Sequence, residues 1–220
     1  MNERRLLDTD LFASMPETVR AGLLVQATSR KYTRGDVLFR QGDPSGELFL
    51  LLHGRVAIAS RSNDGRETVV AVLEDGGLIG ELGLFDDAPR SAEARALTDT
   101  EVLAFPYEPV RLALRQQPEA LWVVVRILAQ RLRATDEALA DAVFLDVPAR
   151  TAKRLIDLAG DADEFLLPLT QEELAGLVGA SRERVNKAIA LFIRLGWIEV
   201  SGRNHYRILD RTALEDRSSQ

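Results

Sequence analysis

The pattern of apolar and polar residues changes character along this 220-residue chain. Residues 1–30 have the spacing of a short helical lead-in. From residue 32 to about residue 105, short apolar runs are separated by turns, and nine of the fifteen glycines fall there. Many short strands at regular spacing are typical of a rolled antiparallel barrel. Within this stretch, Asn63-Asp64-Gly65 between two apolar runs predicts a hairpin.

A long helical pattern follows, from about Glu108 to Phe144. In its second half, apolar residues recur at alternating spacings of four and three, as they do along a coiled-coil seam. Because the stripe is narrow and flanked by charges, it favours pairing with a second copy over packing on its own domain. The seam residues are Leu121, Val125, Leu128, Leu132, Thr135, Leu139 and Ala142.

The long helix is expected to break at Asp146-Val147-Pro148, because Pro148 disfavours a helical conformation at Val147. Asp146 can cap the next helix, from Ala149 to about Ala159. The break divides the chain into a predicted strand-rich domain (1–107), a dimerisation helix (108–145) and a C-terminal domain (146–220). The tail, residues 210–220, is polar and charged as disordered tails are, and it is assigned no role.

Two short helices joined by a glycine are predicted near the end of the chain. Thr170-Gln171-Glu172-Glu173 is a capping box for the first helix, Gly179 supplies the turn, and Ser181 can cap the second. This arrangement, with a basic start to the second helix, is typical of a helix-turn-helix. Residues 196–208 have the pattern of a hairpin, which would form a wing beside it. The expected inner face of the second helix is Val185, Ala188, Ile189, Phe192 and Leu195.

Net charge is −6, which is unusual for a protein that binds DNA. Residues 1–147 contain 17 Lys and Arg against 23 Asp and Glu, whereas residues 148–220 contain 11 of each. Within residues 181–194 the balance is +3. Positive charge is therefore confined to one short element, and we expect affinity for DNA to come from a dimer.

The outer face of the second helix suits a major groove. Arg182 can bond guanine O6 and N7, Glu183 can accept from cytosine N4, and Lys187 can reach guanine or phosphate. The alternative to DNA binding is an ordinary three-helix module with a solvated basic face. On the predicted wing, Arg203 and Arg207 are expected near phosphates. The predicted DNA-contacting residues are Thr170, Ser181, Arg182, Glu183, Arg184, Asn186, Lys187 and Arg203.

Residues 80–92 form the densest motif, with a Gly80-Glu81 turn before a short helix and an Arg90-Ser91 pair after it. Amide groups at a helix N-terminus favour an anion, and an arginine can complete a phosphate site. Glu81 cannot bind phosphate but can accept from sugar hydroxyls. The motif therefore favours a sugar phosphate, although a tight turn with an exposed arginine would have the same sequence.

This motif resembles the phosphate-binding cassette of the cyclic nucleotide-binding domain. From about residue 11 to residue 208, the order of elements resembles the CRP/FNR family, and within it the cyclic AMP receptor proteins. The resemblance implies an α+β fold, with an N-terminal β-roll, a long dimerisation helix and a C-terminal winged helix-turn-helix. It also implies a homodimer that binds palindromic double-stranded DNA with GTGA-like half-sites under the control of cyclic AMP.

The resemblance also implies roles for individual residues at the ligand site. Glu81 would hold the ribose 2′-hydroxyl, Arg90 would pair with the cyclic phosphate, and Thr135 would bond the purine edge. Gly80 and Leu82 would frame the backbone, Ser91 and the amide of Ala92 would bond the phosphate, and Arg131 would approach Glu81. The implied ligand-binding residues are Gly80, Glu81, Leu82, Arg90, Ser91, Ala92, Arg131, Thr135 and Asp136.

Three departures from the family pattern change the expectation. The cassette is one residue shorter before Arg90, and Lys187 stands where an arginine is usual, which weakens bidentate reading of guanine. Asp136 stands where a serine usually reaches the base. Aspartate only accepts, so it suits the adenine amino group or the N1–H and N2–H of guanine. Cyclic GMP therefore competes with cyclic AMP as effector, and another effector or no ligand are further alternatives. Asp136 itself could also be a solvated residue on the flank of the coiled coil.

Other classes of function have weaker support. The chain has no cysteine, which excludes iron–sulfur clusters and thiolate metal sites. Only His53 and His205 could bind the haem of a gas sensor, and both are more typical of surface positions. Neither Asp86-Asp87 nor Glu172-Glu173 belongs to a metal or nucleophile set, so we expect no enzyme and no metal.

No apolar run reaches the 18 or more residues of a membrane span, so we expect no membrane partner and a cytoplasmic location. RNA polymerase remains an open partner. The loop at residues 160–164, near the family's polymerase-contacting surface, is short and acidic. The choice between activator and repressor is therefore not carried over.

Overall fold

The computed structural model describes residues 9–61, 67–202 and 204–219, which form two units. The first contains residues 9–61 and 71–133, and the second contains residues 67–70 and 134–219. None of the described helices is long and apolar enough to cross a membrane. The predicted hairpin turn at 63–65 lies outside the described residues.

The elements up to the end of the long helix alternate as the sequence predicts, with strands beginning slightly earlier, at Thr28. They are α1 (Asp10–Ala13), α2 (Glu17–Gln26), β1 (Thr28–Tyr32), β2 (Val37–Phe39), β3 (Glu47–His53), β4 (Val56–Arg61), β5 (Glu67–Leu73), β6 (Leu78–Ile79), α3 (Leu82–Asp86), β7 (Glu93–Ala96), β8 (Thr100–Pro106), α4 (Tyr107–Gln116) and α5 (Pro118–Phe144).

Two four-stranded sheets give the first unit its shape. Their strand orders are β1-β8-β3-β6 and β2-β7-β4-β5, and their described pairings are antiparallel. Strand β3 is apolar at successive positions because both of its faces are buried. Leu48 and Leu50 pack with Phe105 in one cluster, while Phe49 and Leu51 pack with Val102 in another.

The predicted long helix is divided in two at Gln117, which has φ −126° and ψ 82°. Pro118 is the cause, because proline disfavours the helical conformation at the preceding residue and has no N–H to continue the ladder. The single helix expected from residue 108 to residue 144 is therefore wrong at this point. The coiled-coil pattern lies entirely on α5.

The second unit begins its own helical core at α6 (Val147–Ala159). Asp146 accepts from the Ala149 N–H at 2.9 Å, so the predicted cap is confirmed. The helix nevertheless begins two residues earlier than expected, because Pro148 falls in the first turn, where a missing N–H costs nothing. The later elements are β9 (Glu164–Leu166), α7 (Gln171–Val178), α8 (Arg182–Arg194), β10 (Ile198–Ser201), β11 (His205–Ile208) and α9 (Arg211–Ser218).

Two features of the second unit differ from the sequence analysis. Strand β9 pairs with β11, so the predicted wing hairpin is part of a three-stranded sheet in the order β10-β11-β9. The tail assigned no structure contains α9, which Asp210 caps through the Ala213 N–H. A single apolar residue, Leu214, is fully buried from this polar helix, which is too little for a sequence pattern to reveal. The α+β class is confirmed.

Candidate ligand site and DNA-reading helix

Arg90 lies inside the first unit and is only 7 % exposed. Its Nη1 donates to the Gly80 carbonyl and to the Tyr107 hydroxyl, both at 3.0 Å. Its Nη2 donates to the Glu47 carbonyl at 2.7 Å, and the guanidinium carbon lies 4.1 Å from the centroid of the Phe39 ring. These bonds use three of the five N–H groups. Within the described part of the chain, the buried Nε has no hydrogen-bond partner.

This environment suits an anionic ligand. Among the described residues, no carboxylate pairs with Arg90. A buried cation with an unsatisfied N–H is unfavourable unless a ligand or partner supplies the missing acceptor. An oxyanion would supply both the acceptor and the opposite charge. The alternative interpretation of residues 80–92, a turn with an exposed arginine, is wrong because Arg90 is buried.

Gly80 is required where it stands for two reasons. Its φ is +77°, a conformation that L side chains rarely adopt, and an added Cβ would lie 2.0 Å from Nη1 of Arg90. The backbone of the cassette and the arginine side chain therefore occupy the same small space. Any larger residue at this position would displace the guanidinium.

Glu81 and Arg131 are brought together by the fold. Glu81 is 5 % exposed, and its Oε1 lies 2.5 Å from Nη1 of Arg131. Nη2 of Arg131 donates to the Leu78 carbonyl at 2.5 Å. Arg131 of α5 is thereby bonded to the cassette through the Glu81 carboxylate and to the preceding strand β6 through the Leu78 carbonyl. A charged residue on the coiled-coil helix thus has a structural partner that is distant in sequence.

The other predicted ligand residues are placed less distinctively. Leu82 begins α3 and is exposed, Ser91 is exposed, and Ala92 is half-buried. Thr135 and Asp136 lie on the part of α5 that belongs to the second unit, and both are exposed. The roles of all five toward a nucleotide remain predictions.

One stripe of α5 is apolar and exposed in the single chain. Four of its apolar residues range from 38 % exposure at Leu121 to 66 % at Leu139, whereas Leu128 is partly buried against the core of the first unit. Exposed apolar residues at heptad spacing are typical of a surface covered by another helix. The most exposed apolar seam residues are Leu121, Val125, Leu132 and Leu139.

Helix α8 presents its basic start to solvent. Its inner face is buried at Val185, Ala188, Ile189 and Phe192, as predicted, but Leu195 is 49 % exposed. Leu195 is the C-cap of α8, one residue beyond the last helical residue, Arg194. The predicted reading residues are all exposed: Arg182, Glu183, Arg184, Asn186 and Lys187.

Two of these residues neutralise each other. Nζ of Lys187 lies 2.6 Å from Oε1 of Glu183, one helical turn earlier. The bond and the charge of the lysine lower the pKa of Glu183. Because both side chains are well exposed, the pair is weak and either group can exchange it for a DNA partner.

The turn between α7 and α8 has the predicted local geometry. Thr170 and Glu173 form the reciprocal capping box, and Gly179 has φ +69°. The Ser181 side chain accepts from the Arg184 N–H at 3.4 Å. Thr170 and Ser181 thus have confirmed capping roles, while their contacts with DNA remain predictions.

The wing gives a different outcome for its two arginines. Arg203 lies outside the described residues. Arg207 contacts the carboxylate of Glu164 and lies 3.5 Å from that of Glu199. These acidic residues flank it on the neighbouring strands. Because all three side chains are about half exposed, these ion pairs are weak, and the phosphate contact of Arg207 remains a prediction.

Arg150 joins two parts of the second unit that the sequence analysis treated separately. Its Nη1 donates to the Leu145 carbonyl at 2.7 Å and to the Ala142 carbonyl at 3.3 Å, at the end of α5. Its Nε donates to the Val178 carbonyl at 3.0 Å, at the turn before α8. One side chain thus satisfies carbonyls at both helix ends.

Neither histidine belongs to a metal-binding group. His53 lies 3.6 Å from Asp75, and His205 lies 3.1 Å from Ser201. Within the described ranges, no group of three His, Cys, Asp or Glu side chains could hold a metal ion.

Sequence reasoning did not identify Tyr107, the Glu47 carbonyl or Arg150 as parts of these sites. Backbone carbonyls carry no sequence signal, and Arg150 was read only as part of a helix. For Tyr107 a signal was present. An aromatic residue with a polar group, directly after Pro106 and opening a helix, is a candidate for a buried hydroxyl with a partner.

Two family models match the two halves of this description. A cyclic nucleotide-binding domain matches residues 29–117, and a Crp-like helix-turn-helix domain matches residues 149–217. Together with the buried Arg90 site and the exposed α8, they define the class: a DNA-binding transcription regulator with a cyclic nucleotide-binding domain. The chain belongs to the CRP/FNR family.

Named relatives support the same class. The chain is 37 % identical over 201 residues to the CRP-like cAMP-activated global transcriptional regulator of Mycobacterium tuberculosis, covering 88 % of this chain and 90 % of that protein. It is 34 % identical to the cAMP-activated global transcriptional regulator Vfr of Pseudomonas aeruginosa, covering 82 % and 89 %. These relatives are regulators rather than enzymes.

A solved structure shows that the same fold serves another effector. The c-di-GMP responsive global regulator CLP of Xanthomonas campestris has a TM-score of 0.77 and 27 % identity, covering 88 % of this chain and 99 % of that chain. Family membership therefore fixes the fold and the regulatory class, whereas the effector depends on the residues of the site.

Proposed function

We propose that this protein is a cyclic-AMP-responsive transcription regulator that binds palindromic DNA as a homodimer. The observation that carries the proposal is Arg90, a buried guanidinium whose Nε has no acceptor and which has no carboxylate partner among the described residues. Glu81, in the same cassette, accepts hydrogen bonds but cannot bind phosphate. Since chromosomal DNA is the target, we place the protein in the cytoplasm.

The side chains of the cassette suit a ribose cyclic phosphate. Nε and the remaining N–H of Nη2 of Arg90 would hold the phosphate, together with Ser91 and the amide of Ala92. Glu81 would accept from the ribose 2′-hydroxyl while Arg131 fixes its orientation at 2.5 Å. Gly80 and Leu82 would frame the ligand. The nucleotide supplies a negative charge and a base, and the chain supplies the fixed donors and acceptors.

The identity of the base rests on Thr135 and Asp136. Thr135 can donate to and accept from a purine edge, whereas Asp136 only accepts. Adenine offers one amino donor to Asp136, and guanine offers two donors. We place cyclic AMP first because the chain is 37 % and 34 % identical, over more than four-fifths of its length, to two regulators named as cAMP-activated. Cyclic GMP is the competing effector that Asp136 favours.

The homodimer rests on the exposed stripe of α5. Burying Leu121, Val125, Leu132 and Leu139 against the same stripe of a second copy would remove four large apolar side chains from water. A two-fold axis would then place two α8 helices about 34 Å apart, one turn of DNA. This spacing would match a palindromic site, and a dimer also doubles the modest positive charge of one reading helix.

The proposed half-site rests on the family resemblance of α8. Arg182 bidentate to guanine and Glu183 accepting from cytosine would read a GTGA-like core, with Arg184, Asn186 and Lys187 on bases or phosphates. Thr170, Ser181 and Arg203 would contact the backbone. Release of Lys187 from Glu183 is required, and the exposure of both side chains makes it easy.

Switching would be a shift between two populations of the dimer. The ligand would stabilise the population in which Thr135 and Asp136 contact its base. In that population the two α8 helices would have the spacing of the operator half-sites. Ligand affinity for one population over the other sets the size of the response. RNA polymerase is a further partner that the family suggests.

The decisive experiment combines two measurements on full-length protein refolded from denaturant. Calorimetric titration with cyclic AMP and then cyclic GMP identifies the effector, and fluorescence anisotropy with a GTGA-containing palindrome measures DNA affinity at fixed salt. Arg90→Ala should lose nucleotide binding, whereas Arg55→Ala, which removes an arginine paired with Glu74 in the same unit, should keep it. Unchanged DNA affinity with saturating nucleotide would refute the switch.

A further inference from the structure

Tyr107 occupies a position between the two halves of the cassette. It is the first residue of α4 and is 5 % exposed. Its hydroxyl donates to the Gly80 carbonyl at 2.5 Å and accepts from Nη1 of Arg90 at 3.0 Å. One hydroxyl group therefore holds both the backbone before Glu81 and the arginine that would bind the phosphate.

The bonds of Tyr107 leave the phosphate-binding edge of Arg90 unused. Both N–H groups of Nη1 are occupied, one by Tyr107 and one by the Gly80 carbonyl. The N–H groups that remain are on Nε and Nη2. An oxyanion and Tyr107 therefore bond different nitrogens, and the tyrosine does not compete with the ligand.

Tyr107 is itself fixed by its helix. Arg111, four residues later on α4, donates to the Leu84 carbonyl at 2.8 Å and to the Gly83 carbonyl at 3.3 Å, and it contacts Asp87. Helix α4 thus bonds the cassette on both sides of α3. Burial also raises the pKa of Tyr107, which keeps its hydroxyl protonated and able to donate.

We propose that Tyr107 is a positioning residue for Arg90: its hydroxyl holds the guanidinium and the Gly80 carbonyl in the arrangement that a phosphate ester requires. Without it, Arg90 would keep its charge but would sample other rotamers, and each binding event would have to order the side chain again. The consequence for the nucleotide rests on the proposed function, whereas the effect on Arg90 does not.

The first test needs no nucleotide. In ¹⁵N spectra of the full chain, the Nε–H signal of Arg90, assigned by its loss in Arg90→Lys, should be sharp and slow to exchange with water. Tyr107→Phe should broaden it or speed its exchange. Tyr206→Phe is the matched control, since it removes another buried hydroxyl, bonded to Gln171 in the second unit. It should leave the Arg90 signal unchanged.

The second test is calorimetric titration with cyclic AMP. Tyr107→Phe should weaken binding by about threefold to tenfold, the range expected for one hydrogen bond that orders a ligand-binding group. Tyr206→Phe should bind like the natural chain. In the Arg90→Lys background, Tyr107→Phe should have a smaller effect, because the group that it positions is gone.

The outcomes separate the two proposals. An unchanged Arg90 signal, or equal or tighter binding of cyclic AMP by Tyr107→Phe, would overturn the positioning role. If the natural chain bound no cyclic nucleotide, the proposed function would fail, and the Nε–H signal would still decide whether Tyr107 orders Arg90. Loss of the folded spectrum in Tyr107→Phe would be seen directly, and Tyr107→Met, which also lacks the hydroxyl but has a flexible side chain that adapts to the site, would then repeat the test.

Discussion

The Glu81 carboxylate and the Arg131 guanidinium meet at 2.5 Å, with the carboxylate side chain only 7 % exposed. The cassette and α5 are therefore joined by one ion pair from positions fifty residues apart. The arginine satisfies a carboxylate that water cannot reach easily. Its removal has a different consequence from the removal of both charges.

Arg131→Ala is expected to destabilise the first unit by about 2 kcal/mol, because it leaves a buried carboxylate without its donor. The double variant Glu81→Gln with Arg131→Ala should recover part of the loss, since the amide needs no counter-charge. Urea unfolding of the three proteins measures the difference. Equal stability of Arg131→Ala and the natural chain would show that water replaces the arginine.

Asp146 connects the start of α6 with α9 and should make stability depend on pH. Desolvation by neighbouring residues raises its pKa, but hydrogen bonds from the Ala149 N–H and Arg217 outweigh that effect, so the pKa of Asp146 lies below its ordinary value. Its contribution is therefore complete above the ordinary pKa and is lost as the pH falls through the lowered one.

Asp146→Ala is expected to cost about 1 kcal/mol at pH 7, the usual value of an N-cap. Asp146→Asn should cost less, because asparagine also caps, and the remaining deficit reports the Arg217 pair at 2.6 Å. Unfolding curves at pH 7, 4 and 3 should show both deficits shrinking at the most acid pH, because only that value lies below the ordinary pKa of an aspartate. A deficit that grows on acidification would contradict this assignment.

Lys187 should contribute to DNA binding mainly through charge. Lys187→Ala is expected to weaken binding to the palindrome by about 1–3 kcal/mol, and a phosphate contact would also reduce the salt slope by about one. Arg194→Ala, at the far end of α8, is the matched control. Titrations at several salt concentrations distinguish the two contacts: a lost base contact changes sequence preference, and a lost phosphate contact changes the slope.

The seam of α5 predicts the oligomeric state. Leu132→Asp places a charge at a position that is 62 % exposed in one chain and central in the proposed dimer. It should produce monomers in sedimentation experiments. Leu112→Asp alters a leucine of similar exposure, 56 %, on α4 and off the seam. That control should remain dimeric, and a dimeric Leu132→Asp would locate the interface elsewhere.

Leu214 should show that α9 belongs to the folded unit. It is fully buried, so Leu214→Ala is expected to cost about 2–5 kcal/mol of unfolding free energy. Leu209→Ala, at a residue that is 55 % exposed, should change stability little. Urea unfolding of the two variants gives the comparison, and an unaffected Leu214→Ala would mean that α9 is dispensable.

The sequence predicted those elements whose signals are local. The capping box at Thr170, the turn at Gly179 and the cap at Asp146 each depend on residues within four positions, and each is present. The split of the long helix was not predicted, although Pro118 is a strong signal for a helix boundary. The reason is that the apolar spacing continues across the break. Periodicity describes a face and carries no information on whether the backbone is continuous.

The parts of the site that were missed depend on distant residues. Arg90 was singled out, but its burial follows from Phe39, Glu47 and Tyr107, which approach from three other elements. The ion pairs of Arg207 with Glu164 and Glu199 also carry no local sequence signal, because these residues meet only after three strands pair. The sequence shows that an arginine can bind an anion or a carbonyl. Only the fold shows which of these groups lies within hydrogen-bond distance.

Arg150 has a thermodynamic consequence. Because it bonds carbonyls at the end of α5 and at the turn before α8, these two segments are constrained together within the second unit. Coupling free energies are reciprocal. Under the proposed function, whatever the nucleotide does to the affinity for an operator, the operator does by the same factor to the affinity for the nucleotide. The promoter is then a second effector of this protein, and the nucleotide concentration at which it responds differs from one operator sequence to another.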